Sequence, residues 1–350
     1  MTAPTVAESS GLSEASHLAC ETADIAACEE RRKLMPGTEQ VREELALAVD
    51  IGGTKVEAAL VDRHGVIVPG SRFRRPTGRS ASRGEITAAI QLVTRSAFEA
   101  ATDGLIVVGL GVGSAGPIDR ANTSVAPLNL PSAVDLSIRA AVGVVAPELP
   151  LNLALDGTCI ALAEHWCGAA RGASNTLAMV VSTGVGGGFI LGGAAVVGNS
   201  GNAGHIGQIL VRSRDDRDLV RGTLESIASG PASVAWAQRH GWAGQSGEDL
   251  ASDYALADPV AVRAIRRSAE AVASAIVSAS TLLDLEVVVL AGGFVSVAPD
   301  YVERVQHGVN AFALLEHARS TRVVASGLGG DGPLIGSARL VWLEREGHAM

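Results

Sequence analysis

Positive charge is in short supply in this sequence: 28 Lys and Arg stand against 37 Asp and Glu, for a net charge of -9 and a pI near 5.4. Nucleic-acid binding draws on an excess of phosphate-neutralising cations, so a DNA or RNA partner lacks its main driving force here. Cysteine is scarce too, with 4 in 350 residues. Cys20, Cys28, Cys159 and Cys167 form no Cys-x-x-Cys pair, which excludes the common zinc and dithiol motifs and suits a reducing cytoplasm. The N-terminus shows no basic segment leading into an apolar stretch, so no secretory signal is expected and the protein is placed in the cytoplasm. A Walker loop, Gly-x-x-x-x-Gly-Lys-Ser/Thr, is also missing.

One uncharged run, Leu177 to Gly198, is long enough to span a bilayer. Its glycines oppose that reading. Gly184, Gly186, Gly187, Gly188, Gly192, Gly193 and Gly198 would each weaken a helix by about 1 kcal/mol relative to alanine, and they suit turns between buried strands. No membrane partner is expected.

What the sequence does hold is 47% hydrophobic residues, enough to fill two cores of ordinary size. Residues 1–44 show no strong apolar period and read as a disordered extension. From Leu45 an apolar strand runs to Val49, then come Asp50-Ile51-Gly52-Gly53-Thr54-Lys55 and a second strand. Helical periodicity follows over Ile86 to Ala101, a strand over Leu105 to Val112, a helix over Leu136 to Val142 and a strand over Leu151 to Leu155. The opening recurs at Leu177 to Val181, which leads into Ser182-Thr183-Gly184-Val185-Gly186-Gly187-Gly188 and a strand from Phe189. A long helix over Val260 to Leu283, a strand over Val287 to Leu290 and the pair Gly292-Gly293 come later. Strands alternating with helices predict an α/β protein, and the repeated opening predicts a divergent duplication. The expected lobes are 45–157 and 158–333, with a terminal helix over 334–346 packing back onto the first.

Three glycine turns, Gly52-Gly53-Thr54, Gly184 to Gly188 and Gly292-Gly293, each follow an apolar strand. Glycine lets backbone amides approach a phosphate without an intervening side chain, and strand ends are where nucleotide crevices form in α/β proteins. Asp50, after the first strand, can hold water around a magnesium ion or can close an Asx turn. Thr54 and Lys55 either contact phosphate or close the turn. A sugar hydroxyl is a poor nucleophile and gains from a carboxylate that takes its proton during phosphoryl transfer. Asp156, between a strand and a helix, is the candidate base, with a helix N-cap as the competing reading.

The ordered set Asp50 to Lys55, Gly111-Val112-Gly113-Ser114-Ala115-Gly116-Pro117-Ile118-Asp119, Ser182 to Gly188, Arg221-Gly222-Thr223-Leu224-Glu225 and Leu290-Ala291-Gly292-Gly293 resembles the motifs of the ROK family of bacterial sugar kinases and repressors. The resemblance runs from about Leu45 to about Leu343. It implies an actin/hexokinase-like, ribonuclease H-like fold of two duplicated lobes with an ATP cleft between them, working as a homodimer. By that resemblance Asp156 is the catalytic base. Asp50, Gly52, Gly53, Thr54, Lys55, Thr183, Gly184, Gly186, Gly187, Gly292 and Gly293 are expected to hold ATP, with Asp50 on magnesium through water. Gly116, Asn129, Asp156, His205, Gln208 and Glu225 face the acceptor.

The chain departs from the family where ring recognition is expected. Leu155 replaces an Asn, and Gly204-His205-Ile206-Gly207-Gln208 puts His where Glu is usual and Gln where His is usual. Asp216, Asp218 and Thr223 stand where the family carries zinc-binding cysteines, a poor donor set for zinc, so no structural zinc is expected. His205 either contacts the acceptor or serves as a packing histidine. Conserved phosphate chemistry with rewritten ring contacts argues against glucose and favours a C7-cyclitol of the valiolone or valienone type, phosphorylated on its exocyclic CH₂OH in antibiotic biosynthesis. A hexose or amino-hexose 6-kinase, such as a glucokinase or kanosamine kinase, is the alternative, and a non-catalytic sugar sensor is the alternative of another class.

Overall fold

The apolar run at Leu45 becomes a strand buried on both faces, β1 (Glu43–Ile51), which is the pattern of a strand in the middle of a layered α/β sheet. The computed structural model describes residues 42–102, 104–127, 130–211 and 222–348, with Glu43–Met350 forming one compact unit. Of the expected extension, residues 1–41 lie outside the described residues, while Glu43 and Glu44 already belong to β1. Their register partners are Leu105 and Ile106.

β1 turns at Gly52–Thr54 into antiparallel β2 (Lys55–Asp62), and β2 pairs antiparallel with β3 (Phe73–Pro76). Helix α1 (Arg83–Glu99) starts at a capping box in which Ser82 and Glu85 exchange hydrogen bonds, and returns the chain to β4 (Leu105–Ser114), parallel to β1. A small hairpin, β5 (Ser124–Val125) with β6 (Leu136–Ser137), precedes β7 (Leu151–Leu155), which lies parallel to β4. The first sheet is ordered β3-β2-β1-β4-β7.

Helix α2 (Asp156–Cys167) crosses to the second sheet. There β8 (Thr176–Val181) and β9 (Val185–Leu191) form a hairpin extended by β10 (Ala194–Ala195). The helices α3 (Leu224–Ala228), α4 (Gly230–Arg239), α5 (Gly247–Ala255) and α6 (Pro259–Leu283) follow. Next come β11 (Val287–Ala291), α7 (Tyr301–Phe312), α8 (Glu316–Arg319), β12 (Arg322–Ala325) and α9 (Gly332–Arg345). The second sheet is ordered β10-β9-β8-β11-β12. Both sheets consist of an antiparallel hairpin, a third antiparallel strand and two parallel additions, so the duplication expected from the repeated opening is present strand for strand.

Two expectations fail. Leu136 to Val142 is not one helix: Leu136 pairs with Val125, and a π-helical turn occupies only Arg139–Gly143. A short apolar run carries too few residues for its period to decide between helix and strand. Gly186, Gly187 and Gly188 lie inside β9 and not in a loop, so the second turn is only Ser182–Gly184. The uncharged run Leu177 to Gly198 accordingly spans three short strands, and no helix among the described residues is long and apolar enough to cross a membrane.

Candidate active site

In the first sheet, β1, β4 and β7 run parallel and end together: Asp50 sits opposite Gly113, and Ser114 opposite Leu155. Asp50 therefore occupies the last turn of pleat in β1, and Asp156 the first position beyond β7. Asp50 is buried and, among the described residues, its carboxylate accepts no hydrogen bond. Burial, and then the nearby charge of Asp156, raise its pKa to about 7.

Asp156 is the first residue of α2, with Leu155 in the cap position. One carboxylate oxygen, Oδ1, accepts the Gly157 N–H at 2.7 Å. Burial raises the pKa of this group, opposed by that hydrogen bond and by the neighbouring His205. The second oxygen takes no hydrogen bond among the described residues and is free for a proton donor.

The first glycine turn is braced from behind. Gly52 donates its N–H to the Lys55 carbonyl at 2.9 Å, and Thr77 donates its N–H to the Thr54 carbonyl at 2.9 Å and its hydroxyl to the Gly52 carbonyl at 3.0 Å. The carbonyls are thereby turned inward, and the Gly53 and Thr54 amides make no hydrogen bond among the described residues. Amides left over in this way suit an anion. Lys55 does not project into the turn: its Nζ meets Glu57 at 2.6 Å. Arg72 at 2.7 Å and Arg74 converge on the same buried carboxylate. Burial opposes ionisation of Glu57, but the bonds from Lys55 and Arg72 hold its pKa below the usual carboxylate range. Thr77, Glu57 and Arg72 carry no motif in the sequence, and only strand register brings them to the turn.

At the second sheet Ser182 donates its N–H to the Gly184 carbonyl at 2.9 Å, leaving the Thr183 and Gly184 amides without a partner among the described residues. Gly292 (φ +101°) lies so close that a Cβ there would stand 2.4 Å from the Val181 carbonyl oxygen. The Ser182 turn and the Gly292-Gly293 turn thus lie side by side at the carboxyl ends of β8 and β11. Gly187 and Gly188 play a different part. A Cβ on Gly157 would fall 2.2 Å from the Gly187 oxygen, and one on Gly188 2.3 Å from the Gly157 oxygen. These glycines seat the start of α2 against β9 and so bring Asp156 up to the second sheet.

The residues expected to face the acceptor, Asn129 apart, gather around the same junction. Gly204 (φ +107°) packs on the Gly187 carbonyl, and His205 reaches across so that a Cβ on Gly116 would lie 3.2 Å from His205 Cε1 and Nε2. Glu225 accepts the Val185 N–H at 2.9 Å and, more loosely, Gln208 Nε2 at 3.4 Å. Leu155 is 2% exposed, and its Cδ2 would lie 2.4 Å from a Cβ on Gly116. Asn129, Asp216, Asp218 and Arg221 lie outside the described residues. Thr223 caps α3 by accepting the Ser226 N–H, and no group of three His, Cys, Asp or Glu among the described residues is placed to hold a metal.

The family model described as the ROK family matches residues 46–344. N-acetylmannosamine kinase of Yersinia pseudotuberculosis serotype O:1b (strain IP 31758) is 35% identical over 265 residues, covering 74% of this chain and 86% of that protein. Among solved structures, the ROK hexokinase from Thermus thermophilus aligns with a TM-score of 0.72 at 28% identity, over 87% of this chain and 99% of that one. A ROK family glucokinase from Streptomyces griseus, crystallised with glucose and AMPPNP, aligns with a TM-score of 0.72 at 27% identity, over 85% of this chain and 98% of that one. The two-lobe architecture is therefore the hexokinase type.

Proposed function

The chain belongs to the ROK family, and on that premise we propose that it transfers the γ-phosphoryl group of ATP to an exocyclic hydroxyl of a sugar-like ring, with Asp156 as the base. An ATP-dependent carbohydrate kinase is the activity this kinship carries. The observation that carries the role of Asp156 is its position at the lobe junction with one oxygen unengaged and a raised pKa. A carboxylate whose proton affinity is raised by burial accepts a hydroxyl proton more readily as the O–P bond forms. The bond to the ADP oxygen breaks, the phosphoryl group passes to the acceptor oxygen, and the proton rests on Asp156 until solvent takes it.

The free amides of Gly53, Thr54, Thr183 and Gly184 are assigned to the nucleotide phosphates. Asp50 fits a magnesium ion held through water, because it is a buried carboxylate with no protein donor to satisfy it. Magnesium held there would supply charge neutralisation to the nucleotide phosphates.

For the ring, a C7-cyclitol phosphorylated on its exocyclic CH₂OH is the reading we favour. With Leu155 withdrawn into the core, it rests on His205 and Gln208, which change the hydrogen bonds offered to the acceptor. The 35% identity to N-acetylmannosamine kinase supports an N-acetylated hexosamine as the competing acceptor. The test is ADP release from ATP and magnesium across valienone-type cyclitols, N-acetylmannosamine, kanosamine and glucose, with wild type and Asp156→Asn. Turnover on one ring, lowered on the order of a hundredfold or more in Asp156→Asn with nucleotide binding intact, is expected. Turnover unchanged in the variant would remove Asp156 as the base, and hexosamine turnover without cyclitol turnover would remove the cyclitol.

A further inference from the structure

We propose that Asn202 is a positioning residue of the acceptor pocket, an amide clasp that fixes the His205 loop of the second lobe to the Gly116 loop of the first. Asn202 ties the loop after β10 to the loop after β4 by side-chain hydrogen bonds. Asn202 Oδ1 accepts the Ile118 N–H at 2.8 Å, and Asn202 Nδ2 donates to the Ile118 carbonyl at 2.8 Å. Both backbone groups of a single residue are read by one amide, as a neighbouring strand would read them. Nδ2 also donates to the Ser200 carbonyl at 2.9 Å and approaches Ser200 Oγ at 3.3 Å, so the clasp is fixed to its own loop.

The backbone around it is shaped for close approach. Gly201 has φ +76°, and a Cβ there would stand 2.8 Å from Ile118 Cδ1 and 2.7 Å from Asn122 Oδ1. His205 follows Asn202 by three residues and Gly116 precedes Ile118 by two, so the clasp sits beside the one place where the His205 ring faces Gly116. Asn202 touches neither Asp156 nor the glycine turns in any hydrogen bond. Its effect on the reaction therefore runs through the placement of His205 and falls on the acceptor, while the nucleotide side is left alone.

The inference rests on the kinase reading, and its test separates the two. Asn202→Ala removes both bonds. Asn202→Asp keeps the shape and the acceptor oxygen but sets a carboxylate oxygen against the Ile118 carbonyl. In full-length protein we expect both variants to raise the acceptor KM by about tenfold or more with the ATP KM within about twofold, Asp being no better than Ala. Hydrogen exchange, which needs no turnover, should show the Ile118 amide protected in wild type and exchanging freely in both variants. An acceptor KM unchanged in either variant, an ATP KM that rises in step with it, Asn202→Asp behaving as wild type, or Ile118 exchange that is the same in all three would overturn the clasp. If wild type turns over no ring while the exchange pattern holds, the kinase reading fails and the clasp stands as a lobe contact only.

Discussion

Asp50 is held where its own ionisation is disfavoured. Its pKa of about 7 against an ordinary 3.8 means that between those values the folded protein keeps a proton the unfolded chain has released. Stability accordingly falls as pH rises through that window and levels off above it, a cost on the order of 4 kcal/mol at full ionisation. Asp50→Asn removes the cost. The ligand-free variant should melt several degrees above wild type at pH 8, with the gap narrowing toward pH 5, and should have lost kinase turnover. A thermal scan at both pH values checks this, and a gap that does not grow with pH would mean that Asp50 ionises freely. A side chain that burial makes unfavourable to ionise is thus the one assigned to the cation. Glu57 has the opposite circumstances, since Lys55, Arg72 and Arg74 hold it ionised, and it serves as an anchor behind the turn.

At the scale of elements, glycine has two uses that look alike in a sequence. In Gly292 and Gly204 it supplies positive φ, whereas in Gly157, Gly187 and Gly188 it supplies room for another backbone. The positions of the turns were legible because each follows a buried strand, and Asp50 and Asp156 were legible because carboxylates at strand ends are few. The split between turn and strand after Val181 was not, since nothing in Gly186-Gly187-Gly188 marks which neighbours will press on them. That Leu155 packs against Gly116 was not legible for a related reason, since its place after β7 does not say which way its side chain turns. The network joining Arg72 to Glu57 and Asp331 spans 15 and 259 residues and has no local pattern to find.

The two uses of glycine separate by mutation. A Cβ on Gly187 would meet the Ala178 carbonyl oxygen at 2.7 Å and Ile206 at 3.0 Å, whereas one on Gly186 meets nothing within 4 Å. Gly187→Ala should cost about 1–3 kcal/mol and lower Tm by several degrees. Gly186→Ala should leave Tm at or slightly above the wild-type value. If Gly186 faces nucleotide, the same variant raises the ATP KM; unchanged Tm together with unchanged ATP KM would take Gly186 out of the nucleotide site.

Across the whole molecule the two sheets exchange helices. α2 leaves the first sheet but packs on β8 and β9 of the second, and α9 leaves the second sheet but packs on β1 and β4 of the first. The two helices then pack on each other, so closely that a Cβ on Gly336 would lie 1.7 Å from the Cys159 carbonyl oxygen. A second tie follows the same route: Glu164 of α2 accepts the Ala169 N–H at 2.8 Å and the Ser326 hydroxyl, just before α9. Neither lobe can therefore bury its sheet without the helix that the other lobe's strands lead into. The consequence is one cooperative unfolding transition, although each lobe is of ordinary domain size. The tryptophans provide the test, because all 4, Trp166, Trp236, Trp242 and Trp342, lie in the second lobe or in the helix pair, and none in the first sheet or α1. In urea, tryptophan fluorescence and far-ultraviolet circular dichroism should give the same midpoint. Midpoints that differ between the two signals would show one lobe surviving the other, and the exchanged helices would then be a contact between independent domains.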